Sequence, residues 1–113
     1  METVSARDFV EDRLGRPGRW IVDFTADWCP YCRAFLPTFL GARGVPAHAT
    51  RALGDVTDVD SPLWESLALD VVPTVVCFDD GRPVRRLDGV LGEGLSGEAL
   101  DRFLAKLPGG RPG

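Results

Sequence analysis

Trp20-Ile21-Val22-Asp23-Phe24-Thr25-Ala26-Asp27-Trp28-Cys29-Pro30-Tyr31-Cys32-Arg33 carries a hydrophobic run straight into a pair of cysteines. Its first six residues are mostly β-branched or aromatic, with apolar side chains on both faces, which predicts a buried central strand. One carboxylate, Asp23, lies inside that strand. From Pro30 to about Leu40, Phe35, Leu36, Phe39 and Leu40 recur at helical spacing, with Pro37 interrupting and Gly41 and Gly44 closing the pattern. The spacing predicts a kinked helix that begins at the cysteine pair.

Upstream, Ser5 and Asp8 have capping-box-like spacing, and Phe9, Val10 and Leu14 predict a first helix ending near Leu14, with a stub strand before it. Downstream, Ala49 to Asp55 is a second strand. Ser61-Pro62 opens a helix through Leu63, Trp64, Leu67 and Leu69, with proline at its first position. Thr74-Val75-Val76-Cys77-Phe78 is a strand, Asp79-Asp80-Gly81 a hairpin turn, and Val84 to Leu87 the returning strand. Ser96 caps a last helix carrying Leu100, Phe103, Leu104 and Leu107 on one face. Residues 1–107 therefore read as one domain and 108–113 as a disordered tail with little to bury. Strands alternating with helices and ending in a hairpin predict an α/β fold with a mixed central sheet.

The chain has 113 residues, 44% hydrophobic and 27% charged, which suits a single core. The net charge is -4 and the pI about 4.9, with scattered cations, so a nucleic-acid partner is not expected. No segment has the roughly 20 apolar residues of a membrane span, and the first residues lack the apolar stretch of a secretory signal. A soluble, cytoplasmic monomer is the expectation. Three cysteines are too few and too unevenly spaced for a secreted disulfide framework, and a close pair points to redox chemistry or metal binding.

Cysteines at i and i+3 on the first turn of a helix lie on one face, where a disulfide can open and close with little backbone movement. The unpaired N–H groups of the helix start favour a thiolate at Cys29, and Arg33 adds a nearby cation. Cys29 is then the nucleophile and Cys32, one turn deeper, the resolving thiol. Pro30 lacks an N–H but suits the first turn, leaving the Tyr31 and Cys32 amides to face the sulfur. Asp23, flanked by Ile21, Val22 and Phe24, reads as a buried carboxylate of raised pKa that accepts the Cys32 proton.

The segment from Val22 to Arg33 resembles the active-site strand and helix start of the thioredoxin family. Pro37 sits where those proteins kink the same helix. Val72-Pro73-Thr74 matches the family's cis-proline loop beside the cysteines, and Phe78-Asp79-Asp80-Gly81 with Gly89 matches its hairpin and bulged last strand. The resemblance spans roughly Phe9 to Leu107. It implies a thioredoxin fold, a mixed sheet of four to five strands flanked by helices on both faces. It also implies thiol–disulfide oxidoreductase activity without a bound cofactor, acting on disulfide-containing proteins and recharged by a reductase or thiol donor. Trp28 would shield the site, and Val72, Pro73 and Gly89 would support a shallow docking surface.

The Pro30-Tyr31 dipeptide between the cysteines is of glutaredoxin type. A lysine that commonly accompanies the family's buried aspartate would fall near Gly54, yet no lysine precedes Lys106. Ala26-Asp27-Trp28-Cys29 and Asp55-Val56-Thr57-Asp58 also look like the reductase domains of transmembrane disulfide carriers, which lack that lysine. Two other functions compete. One is a redox-inert scaffold of the same fold; the other is a metal site drawn from Cys29, Cys32, Cys77 and His48, which lacks the two close ligand pairs of a tight zinc site. Cys77 reads as a packed core thiol, His48 as a surface residue, and Trp20 and Trp64 as core.

Overall fold

The computed structural model describes residues 1–108, and most of the predicted tail lies outside the described residues. Strand β4, Arg19–Thr25, occupies the centre because both of its faces are apolar. It pairs in parallel with β5, Thr50–Asp55, and antiparallel with β6, Thr74–Asp79. Strand β1, Glu2–Val4, adds to β5 in parallel, and β7, Arg82–Asp88, adds antiparallel to β6. The sheet order is β1-β5-β4-β6-β7, five mixed strands.

Alternation along β4 splits the core into two layers. Val22 and Phe24 join Val4, Val76, Phe78, Leu63 and Leu67 on one face. Ile21 joins Phe35, Phe39, Val75, Cys77, Leu100 and Phe103 on the other, under helices α1 (Pro30–Gly41) and α3 (Gly97–Ala105). Helices α1 and α3 cover that face, while the short helical turn at Leu63–Ser66 and the segment from Phe9 to Leu14 cover the first. No helix among the described residues is long and apolar enough to cross a membrane.

Two predicted helices are corrected. Phe9 to Leu14 is not helical: after a single 3-10 turn at Ala6–Asp8 the chain makes a hairpin of β2 (Phe9–Val10) and β3 (Arg13–Leu14). The Asp8 carboxylate accepts from the Ser5 amide (2.8 Å) and from Arg16 (3.1 Å), which closes that turn on itself. Phe9 then packs 6.2 Å from Phe24 and 5.6 Å from Phe78, while Leu14 donates its amide to Gly81. Tertiary burial of two residues on one side of a hairpin outweighs helical periodicity here.

Helix α2 is one turn, Leu63–Ser66, preceded by Pro62 as its cap residue, and does not run to Leu69. Ala68 has φ +50°, which turns the chain out of the helix, and Arg86 of β7 donates to the Leu67 and Ala68 carbonyls left free just past its end.

Helix α1 runs through Pro37 as predicted, and its far end is closed by a side chain from β5. Arg51 donates to the carbonyls of Phe39, Leu40 and Ala42 and lies 5.9 Å over the Phe39 ring. A cation at a helix C-terminus also complements the dipole. Arg51→Met, which keeps the stem but strands these acceptors, should cost about 2 kcal/mol of unfolding free energy. Urea midpoints at constant m measure it, and a shift of only a few tenths of a kcal/mol would deny the capping role.

The hairpin turn has Asp80 at φ +48° and Gly81 at φ +89°, a left-handed pair that suits a two-residue connection. The returning strand bulges opposite Cys77 and Phe78, and Arg85 covers the Phe103 ring at 5.6 Å. Ser96 caps α3 by accepting from Ala99, as its position predicted.

Candidate active site

Strand β4 ends at Thr25, and four residues later Cys29 caps α1. The Cys29 Sγ accepts the Cys32 amide at 3.2 Å, so the sulfur sits on the unpaired N–H groups of the helix start. Both thiols are free, with Cys29 at 4% exposure and Cys32 at 1%. They are close together and both buried, with Cys29 at the mouth of the helix and Cys32 in its first turn. Burial first, and then the hydrogen bond with Cys29, pushes the Cys32 thiol up to about 12.

Of the expected supporting residues, Trp28, Pro30, Tyr31 and Val72 line one groove with Cys29. The Val72–Pro73 peptide is cis, and the Cys29 thiol donates to the Val72 carbonyl at 3.5 Å. Gly89 lies against the same loop: a Cβ there would come within 2.5 Å of the Pro73 carbonyl oxygen, so only glycine lets β7 pass. Trp28 stacks on Trp64, with rings 6.3 Å apart and 15° between planes, and donates its indole N–H to the Thr57 carbonyl at 2.8 Å. Arg33 donates to the Asp27 carbonyl at 2.9 Å. Tyr31 reaches the Gly92 carbonyl at 3.0 Å. A groove of about 290 Å³ runs between Trp28, Cys29, Tyr31, Trp64, Val72 and Leu91.

Asp23 is fully buried, and neither carboxylate oxygen has a hydrogen-bond partner. Burial alone pushes it up to about 8, in the direction predicted from the sequence. In the register Asp23 stands opposite Leu53, next to the Gly54 near which the absent lysine was expected, and Gly54 stands opposite Phe24. Arg51 is no substitute partner, since it is engaged at the end of α1. A second cleft, of about 360 Å³, is lined by Thr25, Cys32, Leu36 and Leu53 and opens behind the cysteine pair.

Cys77 packs in the core layer under α1 and α3, and burial pushes its thiol up to about 11. His48 is exposed. Among the described residues no three metal-ligating side chains come together. Sequence reasoning missed Thr57 as a tether for the motif, where the Asp27 amide also donates to its hydroxyl at 2.9 Å, and missed the Val90–Gly94 turn altogether. The first could have been sought in Asp55-Val56-Thr57-Asp58, a segment the resemblance had already singled out. Trp64 is only half-buried, because it forms the platform under Trp28 as well as packing inward.

Comparison with known proteins agrees with this geometry. The family model described as Thioredoxin matches residues 1–105. The thioredoxin of Mycobacterium tuberculosis is 32% identical over 96 residues, covering 80% of this chain and 78% of its own. A thioredoxin-like protein of Synechocystis is 31% identical over 87 residues, covering 74% of this chain and 79% of its own. The solution structure of oxidised thioredoxin from Plasmodium falciparum superposes with a TM-score of 0.65 at 25% identity, covering 81% of this chain and 83% of that one. With a family model matching residues 1–105, relatives above 30% identity and a shared fold, the chain belongs to the thioredoxin family of disulfide oxidoreductases.

Proposed function

We propose that the protein reduces disulfides in other proteins, with Cys29 as nucleophile and Cys32 as resolving thiol. The observation that carries this reading is the Cys29 sulfur lying on the helix-start amide of Cys32, with the second thiol buried one turn below. The Cys29 thiolate attacks one sulfur of the substrate disulfide; that S–S bond breaks, a Cys29–substrate disulfide forms, and the departing thiolate takes a proton. Cys32 then loses its proton and attacks the Cys29 sulfur. The substrate's second thiol leaves, reduced by two electrons overall, and the protein is left with a Cys29–Cys32 disulfide. An external dithiol donor must reduce that bond before the next cycle.

Because burial holds the Cys32 thiol near 12, the second step needs a base. Asp23, a buried carboxylate without a hydrogen-bond partner opposite Leu53 in the sheet, is the base assigned to that step, with a water as relay. The test is Cys32→Ser, which should keep the first attack and lose the second. Incubated with oxidised insulin it should accumulate a stoichiometric mixed disulfide that maps to Cys29. An adduct on Cys77, or none, would overturn the assignment of roles.

A further inference from the structure

We infer that the Val90–Gly94 turn, latched by Tyr31, forms one wall of the groove beside Cys29, and that Leu91 on it selects substrates carrying an apolar side chain and a cation next to the disulfide. This rests on the reductase reading above and names the substrates for that site. Val90 and Gly94 form an isolated bridge, and the Glu93 and Gly94 amides both donate back to Val90 at 2.8 Å, so the five residues close on themselves. Gly92 and Gly94 have φ of +80° and +78°, a backbone that other residues rarely adopt.

Tyr31 locks this turn to the active site twice. Its hydroxyl donates to the Gly92 carbonyl, and its ring lies so near Gly94 that a Cβ there would sit 3.0 Å from the Tyr31 Cβ. Leu91 is thereby fixed in place while remaining 86% exposed. A single exposed leucine is ordinary, but Leu91 lines the groove with exposed Trp28 and Tyr31, and a rigid apolar patch at a reactive sulfur is a contact surface. The occupant's charge follows from the rim. Asp70 is the one charged residue lining the groove, Glu93 lies on the same turn as Leu91, and no lining residue is a cation. Oxidised glutathione, whose carboxylates outnumber its amines, meets only like charge here, despite the Pro30-Tyr31 dipeptide between the cysteines.

Stopped-flow oxidation of the reduced protein, followed by tryptophan fluorescence, tests this with four disulfides: a cyclic peptide with Leu-Arg beside one cysteine, the same peptide with Ser-Glu, oxidised glutathione, and hydroxyethyl disulfide. The Leu-Arg peptide should react at least tenfold faster than the Ser-Glu peptide and than glutathione. Leu91→Ser should cut that preference about fivefold, and Leu91→Met, which restores an apolar wall, should recover it. Tyr31→Phe, losing only the hydroxyl latch, should lower it about twofold. Peptides reacting within twofold of each other, glutathione reacting fastest, or a preference untouched by Leu91→Ser would each overturn the inference and leave the reductase reading standing. Failure to react with any of the four, hydroxyethyl disulfide included, would overturn both.

Discussion

Asp23→Asn should make the reduced protein more stable at neutral pH and, at the same time, slower to release reduced substrate. Burial pushes the folded carboxyl up to about 8, whereas in the unfolded chain it titrates near its ordinary value of about 3.9. Between those two values the folded state keeps a proton that the unfolded state gives up. Stability therefore falls as pH rises from about 4 through 8, and levels off above. At about 1.4 kcal/mol per pH unit, the loss accumulated by pH 7 is on the order of 4 kcal/mol. Asparagine has no such titration, so parent and variant should agree within about 1 kcal/mol at pH 4 and diverge in the variant's favour as pH rises. Urea unfolding of both reduced proteins from pH 4 to 8 measures this. Parallel curves would mean that Asp23 does not titrate between folded and unfolded states.

The kinetic half has the opposite sign. A base that titrates near 8 is only about one-tenth ionised at pH 7. Resolution of the Cys29 mixed disulfide should rise with pH up to about 8 in the parent, and that rise should be missing in Asp23→Asn. The first attack by Cys29 should change little. Single-turnover reduction from pH 6 to 9 separates the two steps, and equal resolution rates at every pH would confine Asp23 to a structural role.

Gly54→Ala should destabilise the protein by about 3 kcal/mol, among the largest effects expected of one added methyl group. A Cβ at Gly54 would meet the Phe24 ring at 2.5 and 2.6 Å and the Val22 Cγ1 at 3.1 Å. Phe24 has no free space to yield, since it is fully buried and meets Phe9 and Phe78 at ring distances of 6.2 and 6.3 Å. Leu53→Lys behaves differently, because that side chain stands opposite Asp23 and lines the cleft. An ammonium there should lower the Asp23 titration, flatten the fall of stability with pH and shift the pH midpoint of resolution down by at least about one unit. A tolerated Gly54→Ala would refute the register, and an unshifted midpoint in Leu53→Lys would separate position 53 from Asp23.

The elements legible in the sequence are those whose partners are close along the chain or whose composition leaves one choice. Ile21 to Phe24 are apolar on both faces and can only be a central strand; Cys29 and Cys32 at one helical turn can only share a face; Ser96 and the Asp79-Asp80-Gly81 turn mark boundaries by local chemistry. The cysteine pair, its helix and the family were readable for that reason, as was the burial of Asp23. What tertiary structure decided are outcomes in which a distant side chain outweighed a local preference. Phe9 and Leu14 fit helical spacing, but Phe24 and Phe78 offered burial to a hairpin instead. Leu67 and Leu69 extend the pattern of α2, yet the left-handed turn at Ala68 ends it, and Arg86, from another strand, holds the carbonyls just beyond. Counting put the absent lysine near Gly54, and only the parallel register of β4 and β5 shows that the residue opposite Asp23 is Leu53. The Val90–Gly94 turn was invisible for the same reason: it is held beside Cys29 by the hydroxyl and ring of Tyr31, 61 residues before Gly92.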